Sequence, residues 1–341
     1  MKKKLNKTLI SYAVNAGLVV LLYVVMMVLI KAGVINRYYE GIVRLICINI
    51  IMAVSLNLVC GFMGQLALGL AGFMSVGAYA AALFTMHCGL PEAVAFPLGL
   101  LVGGIVAAIV GFLIGIPALR MRGDYLAIIT LGFGEIIRVV ANALPITGGA
   151  KGLSGIPAST NFSWAYWVMI LSVFVIFAFI KSRHGRAVIS IREDEIAAEA
   201  MGINLAKTKM QAFLTSSFFA GIGGALLAMF QASVQARSFT SAMTYEILLI
   251  VVIGGIGSVT GSIIGSFLYI AASEWWLRFL DDSQTYLGVN IPFMRGGFRM
   301  VVFSVVIMLV VLFYRQGIMG TKEFSWQGII NFFKRIFKKN K

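Results

Sequence analysis

The sequence predicts an all-α polytopic membrane protein with about ten, and at least eight, transmembrane helices. Of its 341 residues, 60% belong to the apolar set AVILMFWYC and only 12% are charged. A soluble protein is about 45–50% apolar and about 25% charged, so this composition excludes a soluble enzyme. Repeated apolar stretches of about 20 residues, separated by short polar segments, indicate a bundle of membrane-spanning helices.

Ten apolar segments are candidate spans. In chain order they are 9–30, 42–60, 65–86, 93–116, 125–144, 164–180, 208–231, 246–257, 259–277 and 298–314. The first is too long for a signal peptide and has no evident cleavage site, so we expect it to remain as a span. The segment 246–257 is short, and a half-helix or re-entrant segment is the alternative there. Either this segment and 259–277 both cross, giving ten spans, or neither does, giving eight; ten is the prediction.

The distribution of basic residues predicts the orientation of the chain. The net charge is +15, and lysine and arginine concentrate in residues 1–8, in the loop 181–209 and in the tail 315–341. With ten crossings all three lie on one side, which the positive-inside rule assigns to the cytoplasm. The transmembrane domain is then 9–314, and the basic amphipathic tail lies on the anionic inner leaflet. No basic face carries interleaved aromatic residues, so nucleic acid is not an expected partner.

Small residues recur every four positions in several segments. One stripe is Gly103, Ala107, Gly111 and Gly115, and another is Gly257, Gly261 and Gly265. Lipid provides no hydrophobic drive for helix pairing, so such stripes predict close packing between helices. The segment 254–258, which joins two short apolar runs, is instead expected to be an unwound point.

Motifs for hydrolytic chemistry are absent from the sequence. No Gly-Lys dipeptide occurs, so there is no GxxxxGK[ST] phosphate-binding loop and we do not expect the chain to hydrolyse ATP. Its two histidines, His87 and His184, have no partner at metal-ligand spacing, and HExxH and GxSxG are missing. The sequence therefore predicts a protein that is not an enzyme and that binds no metal or cofactor itself.

Several polar residues are expected at membrane depth. One span carries Glu135 and Arg138, three residues apart and therefore on one helical face. Each charge at the bilayer centre costs about 2.5–3.5 kcal/mol, which a neutralising pair offsets in part. The pair either braces the bundle or forms a polar lining for a zwitterionic or charged substrate. Asn49, Asn57 and Gln65 extend this candidate translocation path, with inter-helix hydrogen bonding as the alternative.

The loop 181–209 has the pattern of a short helix. Ser190–Glu193 resembles a capping box that begins the helix, which continues from Glu195 to Met201. Gly202 supplies a stop, and Asn204 caps the helix that enters the next span. The exposed side of the short helix is expected to present Ala197, Ala198 and Met201. Such a helix is either a connector on the membrane surface or a docking element for a cytoplasmic partner.

Together these segments resemble the LivM-type permeases of branched-chain amino acid ABC importers, over about residues 40–315. The motifs that carry the resemblance occur in the family's order. They are NLVCGFMGQ at 57–65, LG at 68–69, AGF at 71–73, GAY at 77–79, RGDY at 122–125, TLGFGEIIR at 130–138, TGGAKGL at 147–153, GRA at 185–187, IRE at 191–193 and AAEAMG at 197–202.

The resemblance implies an activity and a set of partners. The chain would be one membrane subunit of an ATP-driven importer of leucine, isoleucine or valine in a bacterial plasma (inner) membrane, with a fold similar to the ten-helix vitamin-importer permeases. Its partners would be a second, H-type permease, two cytoplasmic subunits that bind ATP and Mg, and a periplasmic or extracellular substrate-binding protein. Urea, short amides or other amino acids are the alternative substrates within the family. A stand-alone secondary carrier that uses Glu135 and Arg138 is the alternative from another class.

The resemblance also implies roles for individual residues. The loop corresponds to the coupling element with the general pattern Glu-Ala-Ala-x-x-x-Gly, in which Ile196 here replaces the glutamate. The expected coupling residues are Arg192, Glu193, Ala197, Ala198, Met201 and Gly202. The expected outer-face contacts with the binding protein are Thr147, Gly148, Gly149, Gly152 and Leu153.

Overall fold

The structure of the chain is a computed structural model. It describes residues 2–121 and 123–276, together with single positions between 302 and 323. The described residues belong to two compact units, one that contains residues 2–43 and one that begins at residue 44.

The described part of the chain is almost entirely helical. Its α-helices are α1 (Lys2–Lys31), α2 (Arg37–Asn57), α3 (Leu70–His87), α4 (Glu92–Ala118), α5 (Asp124–Ala143), α6 (Phe162–Lys181), α7 (Arg183–Glu193), α8 (Glu195–Ala200), α9 (Leu205–Gln231), α10 (Ser241–Gly254) and α11 (Val259–Ile270). A π-helical segment, Leu58–Phe62, extends α2, and another, Ala271–Trp276, extends α11. Two short strands, β1 (Leu153–Ser154) and β2 (Ser233–Val234), pair antiparallel.

Six helices of the described residues are long and apolar enough to cross a membrane. They are Arg37–Phe62 and α3, α4, α5, α6 and α9, and the bent pair α10 and α11 with its extension raises the number to seven. The predicted span 9–30 lies within α1, whose apolar stretch among described side chains is Gly17–Lys31. The predicted span 298–314 lies outside the described residues except for isolated positions. The described residues therefore confirm an all-α polytopic architecture with six or seven candidate spans, and the count of ten stays a prediction.

The centre of the second unit is built from α3, α4 and α9, which approach closely through small residues. A Cβ atom added to Gly103 of α4 would lie 2.7 Å from the carbonyl oxygen of Gly77 and 3.2 Å from the Cβ of Ala225. One added to Gly111 would lie 2.6 Å from the hydroxyl of Ser217. The predicted four-residue stripe on α4 is therefore a packing surface, because larger side chains would push the helices apart.

Helices α10 and α11 form a sharply bent pair, a broken span or a re-entrant loop, which we call the hairpin. The chain bends by 117° between them, at a turn in which Gly255 (φ +127°) and Gly257 (φ +86°) take conformations that favour glycine. A Cβ on Gly265 would lie 3.0 Å from the Cα of Gly254, so the two arms touch at their glycines. With 14 residues, α10 is about 21 Å long, shorter than the roughly 30 Å hydrocarbon core. The half-helix alternative for 246–257 and the unwound point at 254–258 agree with this geometry.

The predicted span 65–86 becomes helical only at Leu70. Hydroxyl groups from two other helices accept hydrogen bonds from amides at its beginning. Thr130 Oγ1 accepts from the Leu68 amide at 2.9 Å, and Thr244 Oγ1 accepts from the Ala71 amide at 3.1 Å. Amides at a helix start have no partner within the helix, so these long-range bonds allow the chain to enter α3 later than the sequence predicts.

Candidate functional site

The loop between α6 and α9 contains two helices, whereas the sequence predicts one. Helix α7 begins at the N-cap Ser182, whose hydroxyl accepts a hydrogen bond from the Gly185 amide at 3.2 Å. The predicted capping box at Ser190 is wrong, because that hydroxyl donates to the Ala187 carbonyl inside α7. Asp194 lies between the two helices and caps α8 instead. Its carboxylate accepts hydrogen bonds from the amides of Ile196 and Ala197 at 2.9 and 3.0 Å. A carboxylate at this position also suits the positive end of the helix dipole.

The end of this segment agrees with the sequence. Gly202 has φ +83°, a left-handed conformation that stops α8. Asn204 caps α9, with its side-chain oxygen accepting from the Lys207 amide at 3.0 Å.

One side of α8 is an exposed apolar face. Met201, just after the helix, is 84% exposed and Ile196 is 79% exposed, and Ala197 and Ala200 are also exposed. The expectation that Ala198 lies on this face is wrong, because it is only 4% exposed. At about 100° per residue, Ile196, Ala197, Ala200 and Met201 fall within an arc of about 140° around the helix, and Ala198 lies outside that arc. We call the surface formed by Ile196, Ala197, Ala200 and Met201 the α8 face.

A buried ion pair fixes α8 to the membrane bundle. Lys209 of α9 is 3% exposed, and its Nζ donates to Glu195 Oε1 of α8 at 2.8 Å. The sequence analysis did not single out this pair. Helical spacing could have indicated that Lys209 is buried. It lies three, four and seven residues before Ala212, Phe213 and Ser216, which are buried on the same helix.

The two charged members of the predicted coupling set pair with each other but differ in exposure. The Glu193 side chain is 66% exposed, whereas that of Arg192 is 29% exposed. Arg192 Nη1 donates to the carbonyl oxygen of Gly61 in the π-helical extension of α2, at 3.0 Å. Arg192 thus also contacts the membrane bundle, which a purely surface role does not require.

Glu135 and Arg138 pair as the sequence predicts. Arg138 Nε donates to Glu135 Oε2 at 2.6 Å, and both side chains are about one-third exposed, at 34% and 32%. Glu135 Oε1 also accepts from the Ser241 amide at 3.3 Å, so its carboxylate caps the beginning of α10. The pair therefore connects α5 to the hairpin, which gives the bracing interpretation a definite partner.

The other polar residues of the candidate path do not gather around this pair. Asn49 donates to the Leu45 carbonyl within its own helix, at 3.0 Å. Asn57 is fully buried and its amide bonds only to the hairpin, whereas Gln65 is half-buried in the irregular segment before α3. The role of these three residues in a path stays a prediction.

The motif 147–153, which the sequence analysis assigns to the outer face, folds into a compact turn. Thr147 is buried, and its hydroxyl donates to the carbonyls of Ala141 and Leu144, closing the end of α5. Gly148 and Gly152 have positive φ, and Leu153 pairs with Val234 across the two-stranded sheet. Gly148 is exposed, and Gly149, Gly152 and Leu153 are half-buried. Since α6 separates this turn from α7, the motif lies at the opposite end of the bundle from the α8 face.

Comparison with known proteins places these features in a family. The chain matches the family model described as branched-chain amino acid transport system / permease component over residues 38–313. It is 37% identical, over 289 residues, to the high-affinity branched-chain amino acid transport system permease protein LivM of Escherichia coli, covering 74% of this chain and 67% of that protein. No solved structure matches.

More distant relatives share the same region. The probable branched-chain amino acid transport permease protein LivM of Methanocaldococcus jannaschii is 24% identical over 237 residues, which cover 64% of this chain and 67% of that protein. The ribose import permease protein RbsC of Haemophilus influenzae is 25% identical over 299 residues, which cover 83% of this chain and 86% of that protein. The extent of the family match, together with the identity to LivM, shows that the chain belongs to the family of permease components of branched-chain amino acid transport systems.

Proposed function

We propose that the chain is one membrane-spanning subunit of an ATP-driven importer that moves leucine, isoleucine or valine into the cell. Membership of the permease family supports the activity, and the 37% identity to LivM supports the substrate class. The α8 face is the observation that carries the coupling step. Two large apolar side chains, Ile196 on the six-residue helix and Met201 just after it, are exposed by 79% and 84% and favour insertion into a groove of a partner protein.

The partners follow from the proposed activity. Two cytoplasmic subunits bind ATP and Mg, one of them receives the α8 face, and a second, H-type permease completes the membrane part. A periplasmic or extracellular binding protein delivers the amino acid near the turn 147–153. Selectivity among apolar side chains then belongs largely to that binding protein.

The proposed topology has eight or ten spans in a bacterial inner membrane, ten if both arms of the hairpin cross and eight if neither does, with both termini in the cytoplasm. It assigns the end of the bundle with α7, α8 and the hairpin turn to the cytoplasm and the turn 147–153 to the outside. The tail 315–341 lies on the inner leaflet. The concentration of basic residues in 1–8, 181–209 and 315–341 supports this orientation.

The proposed translocation path passes the Glu135–Arg138 pair. The two charges match the ammonium and carboxylate groups of a zwitterionic amino acid, and the amide at the start of α10 adds a hydrogen-bond donor beside them. Asn49, Asn57 and Gln65 are the further polar residues proposed for this path.

Co-purification tests the proposal directly. The chain is extracted in mild detergents from its native membrane, and its companions are identified by mass spectrometry. Recovery of a second permease and of subunits with phosphate-binding loops is the expected result, followed by ATP-driven uptake of leucine in preference to urea after reconstitution. A chain that is recovered alone or as a homo-oligomer in every detergent, and transports along an ion gradient, contradicts the proposal and favours a secondary carrier.

A further inference from the structure

Arg192 lies where the cytoplasmic helices meet the membrane bundle. It is in the last turn of α7, two residues before Asp194, which separates α7 from α8. Its guanidinium makes contacts in two directions. Nε and Nη2 donate to Glu193 Oε1, at 3.1 and 2.5 Å, and Nη1 donates to the Gly61 carbonyl oxygen at 3.0 Å. A cation at this carbonyl is favourable, because carbonyl groups at the end of a helix carry its partial negative charge.

The Arg192 side chain packs against three glycines, Gly61, Gly64 and Gly257. We call the site formed by these glycines the arginine socket. A Cβ on Gly64 would lie 2.5 Å from Arg192 Cγ, and one on Gly257 would lie 3.1 Å from Nη1. Gly64 and Gly257 both have positive φ, at +73° and +86°. The socket therefore exists because side chains are missing at these positions, and the Arg192 stem fills the space.

The socket joins the end of α2 to the turn of the hairpin. A Cβ on Gly61 would lie 2.9 Å from the Cα of Gly257, so the two backbones are in contact. Asn57 strengthens the junction, with its oxygen accepting from the Gly257 amide at 2.9 Å. Its nitrogen donates to the Ser258 carbonyl at 2.9 Å and to the Ser262 hydroxyl at 2.8 Å. These hydrogen bonds are buried, and buried hydrogen-bond networks make the surrounding structure rigid. We therefore expect the end of α2 and the hairpin turn to move together.

From this geometry we infer that Arg192 is the positioning residue that transmits movement of α7 and α8 to the α10–α11 hairpin. The inference rests on the proposed function, in which ATP-binding subunits move α8. It assigns Arg192 a place inside the permease, behind the docking surface. Among the contacts of the described residues, the Lys209–Glu195 pair holds α8 to α9, and the Arg192 guanidinium lies beside Gly257 of the hairpin turn.

The test compares Arg192→Ala with Arg186→Ala, a matched variant on the same helix. Arg186 is exposed, and its Nη1 donates only to the nearby Lys181 carbonyl at 3.1 Å. Each variant is purified as the complex with its companion subunits and reconstituted, and ATP hydrolysis and binding-protein-dependent leucine uptake are measured on the same vesicles. For Arg192→Ala we expect companions in normal amounts, ATP hydrolysis within about twofold of wild type, and at least a tenfold fall in leucine transported per ATP. For Arg186→Ala we expect the recovery of companions, the ATP hydrolysis and the leucine transported per ATP all to stay within about twofold of wild type.

Hydrogen–deuterium exchange of the same complexes separates transmission from simple stability. In wild type, trapping with MgATP and vanadate is expected to change exchange both in 195–203 and in 253–262. In Arg192→Ala the change in 195–203 persists and the change in 253–262 is lost. If Arg192→Ala does not insert, Arg192→Lys takes its place, because it retains the positive charge but not the guanidinium fork; a threefold or larger fall in leucine per ATP is then expected.

The outcomes distinguish the inference from the function on which it rests. A wild-type chain that recovers no ATP-binding subunit overturns both. A coupled wild-type complex in which Arg192→Ala keeps the normal leucine-to-ATP ratio, or keeps the nucleotide-dependent change in 253–262, overturns only the inference. Loss of the ATP-binding subunits from Arg192→Ala alone also overturns it, because Arg192 is then a docking residue.

Discussion

Neutralising Glu195 is expected to open α8 locally while the membrane bundle stays folded. In the described part of the chain, Lys209 has this carboxylate as its ion-pair partner, at 2.8 Å, and Lys209 itself is 3% exposed. The variant Glu195→Gln keeps the size of the side chain but leaves a buried cation without a counter-charge. Opening α8 lets water reach the ammonium group of Lys209. The free energy of the open state therefore falls relative to that of the closed state.

The magnitude follows from the burial of the two groups. Removing one partner of a fully buried pair costs about 3–5 kcal/mol. The Glu195 side chain is 29% exposed, so solvent weakens the interaction and a loss of about 2–3 kcal/mol is expected. Since about 1.4 kcal/mol is a factor of ten, amide hydrogens in 195–203 should exchange about 30- to 100-fold faster.

Hydrogen–deuterium exchange of the purified chain in lipid nanodiscs measures this directly. The control is Lys209→Met, which removes the buried charge and keeps an unbranched stem, and it should accelerate exchange less than about fivefold. The double variant should resemble the control, because the penalty disappears with the cation. Unchanged exchange in Glu195→Gln, or equal acceleration in Lys209→Met, would refute the reasoning, since the buried charge would then not be the source of the effect.

Three further predictions concern matched pairs of positions. Asn57→Ala should lower the free energy of unfolding by about 2–4 kcal/mol in thermal unfolding, because it leaves buried hairpin groups unsatisfied; Asn49→Ala, which removes a bond within one helix, should cost less than about 1 kcal/mol. Gly61→Ala should lower the midpoint of thermal unfolding by several degrees, because its Cβ has no space, whereas Gly132→Ala, with nothing within 4 Å, should leave the midpoint unchanged or higher. Met201→Asp should reduce co-purification of the ATP-binding subunits at least tenfold, whereas Met201→Leu should retain it; equal recovery in both variants would exclude the α8 face as the docking surface.

Local sequence patterns predicted local structure well in this chain. Gly202 and Asn204 end α8 and begin α9 as expected, since a left-handed glycine and an amide N-cap act through neighbouring backbone groups alone. Ser190 failed as an N-cap because two candidates compete within a few residues, and the carboxylate of Asp194 is better placed once α7 begins at Ser182. The small-residue stripe on α4 was found by its spacing, because the helical period decides which side chains share a face.

Features that depend on distant residues were not predictable in the same way. The late beginning of α3 depends on hydroxyl groups of Thr130 and Thr244, which are far away in the sequence. The arginine socket needs Gly61 and Gly257 to meet, and no local pattern around Arg192 indicates such a meeting. The composition of 246–257 suggested a span, but the 117° bend at its end depends on packing between glycines of both arms.

The pairing of β1 with β2 lies close along the chain to the beginning of α10. Only six residues, 235–240, separate Val234 in that pairing from the beginning of α10, and α10 itself ends at the turn beside Arg192. One helix about 21 Å long therefore has the Glu135 carboxylate at its beginning and the turn beside Arg192 at its end. A tilt of this helix about its middle moves those two contacts in opposite directions, so a single short helix links them mechanically.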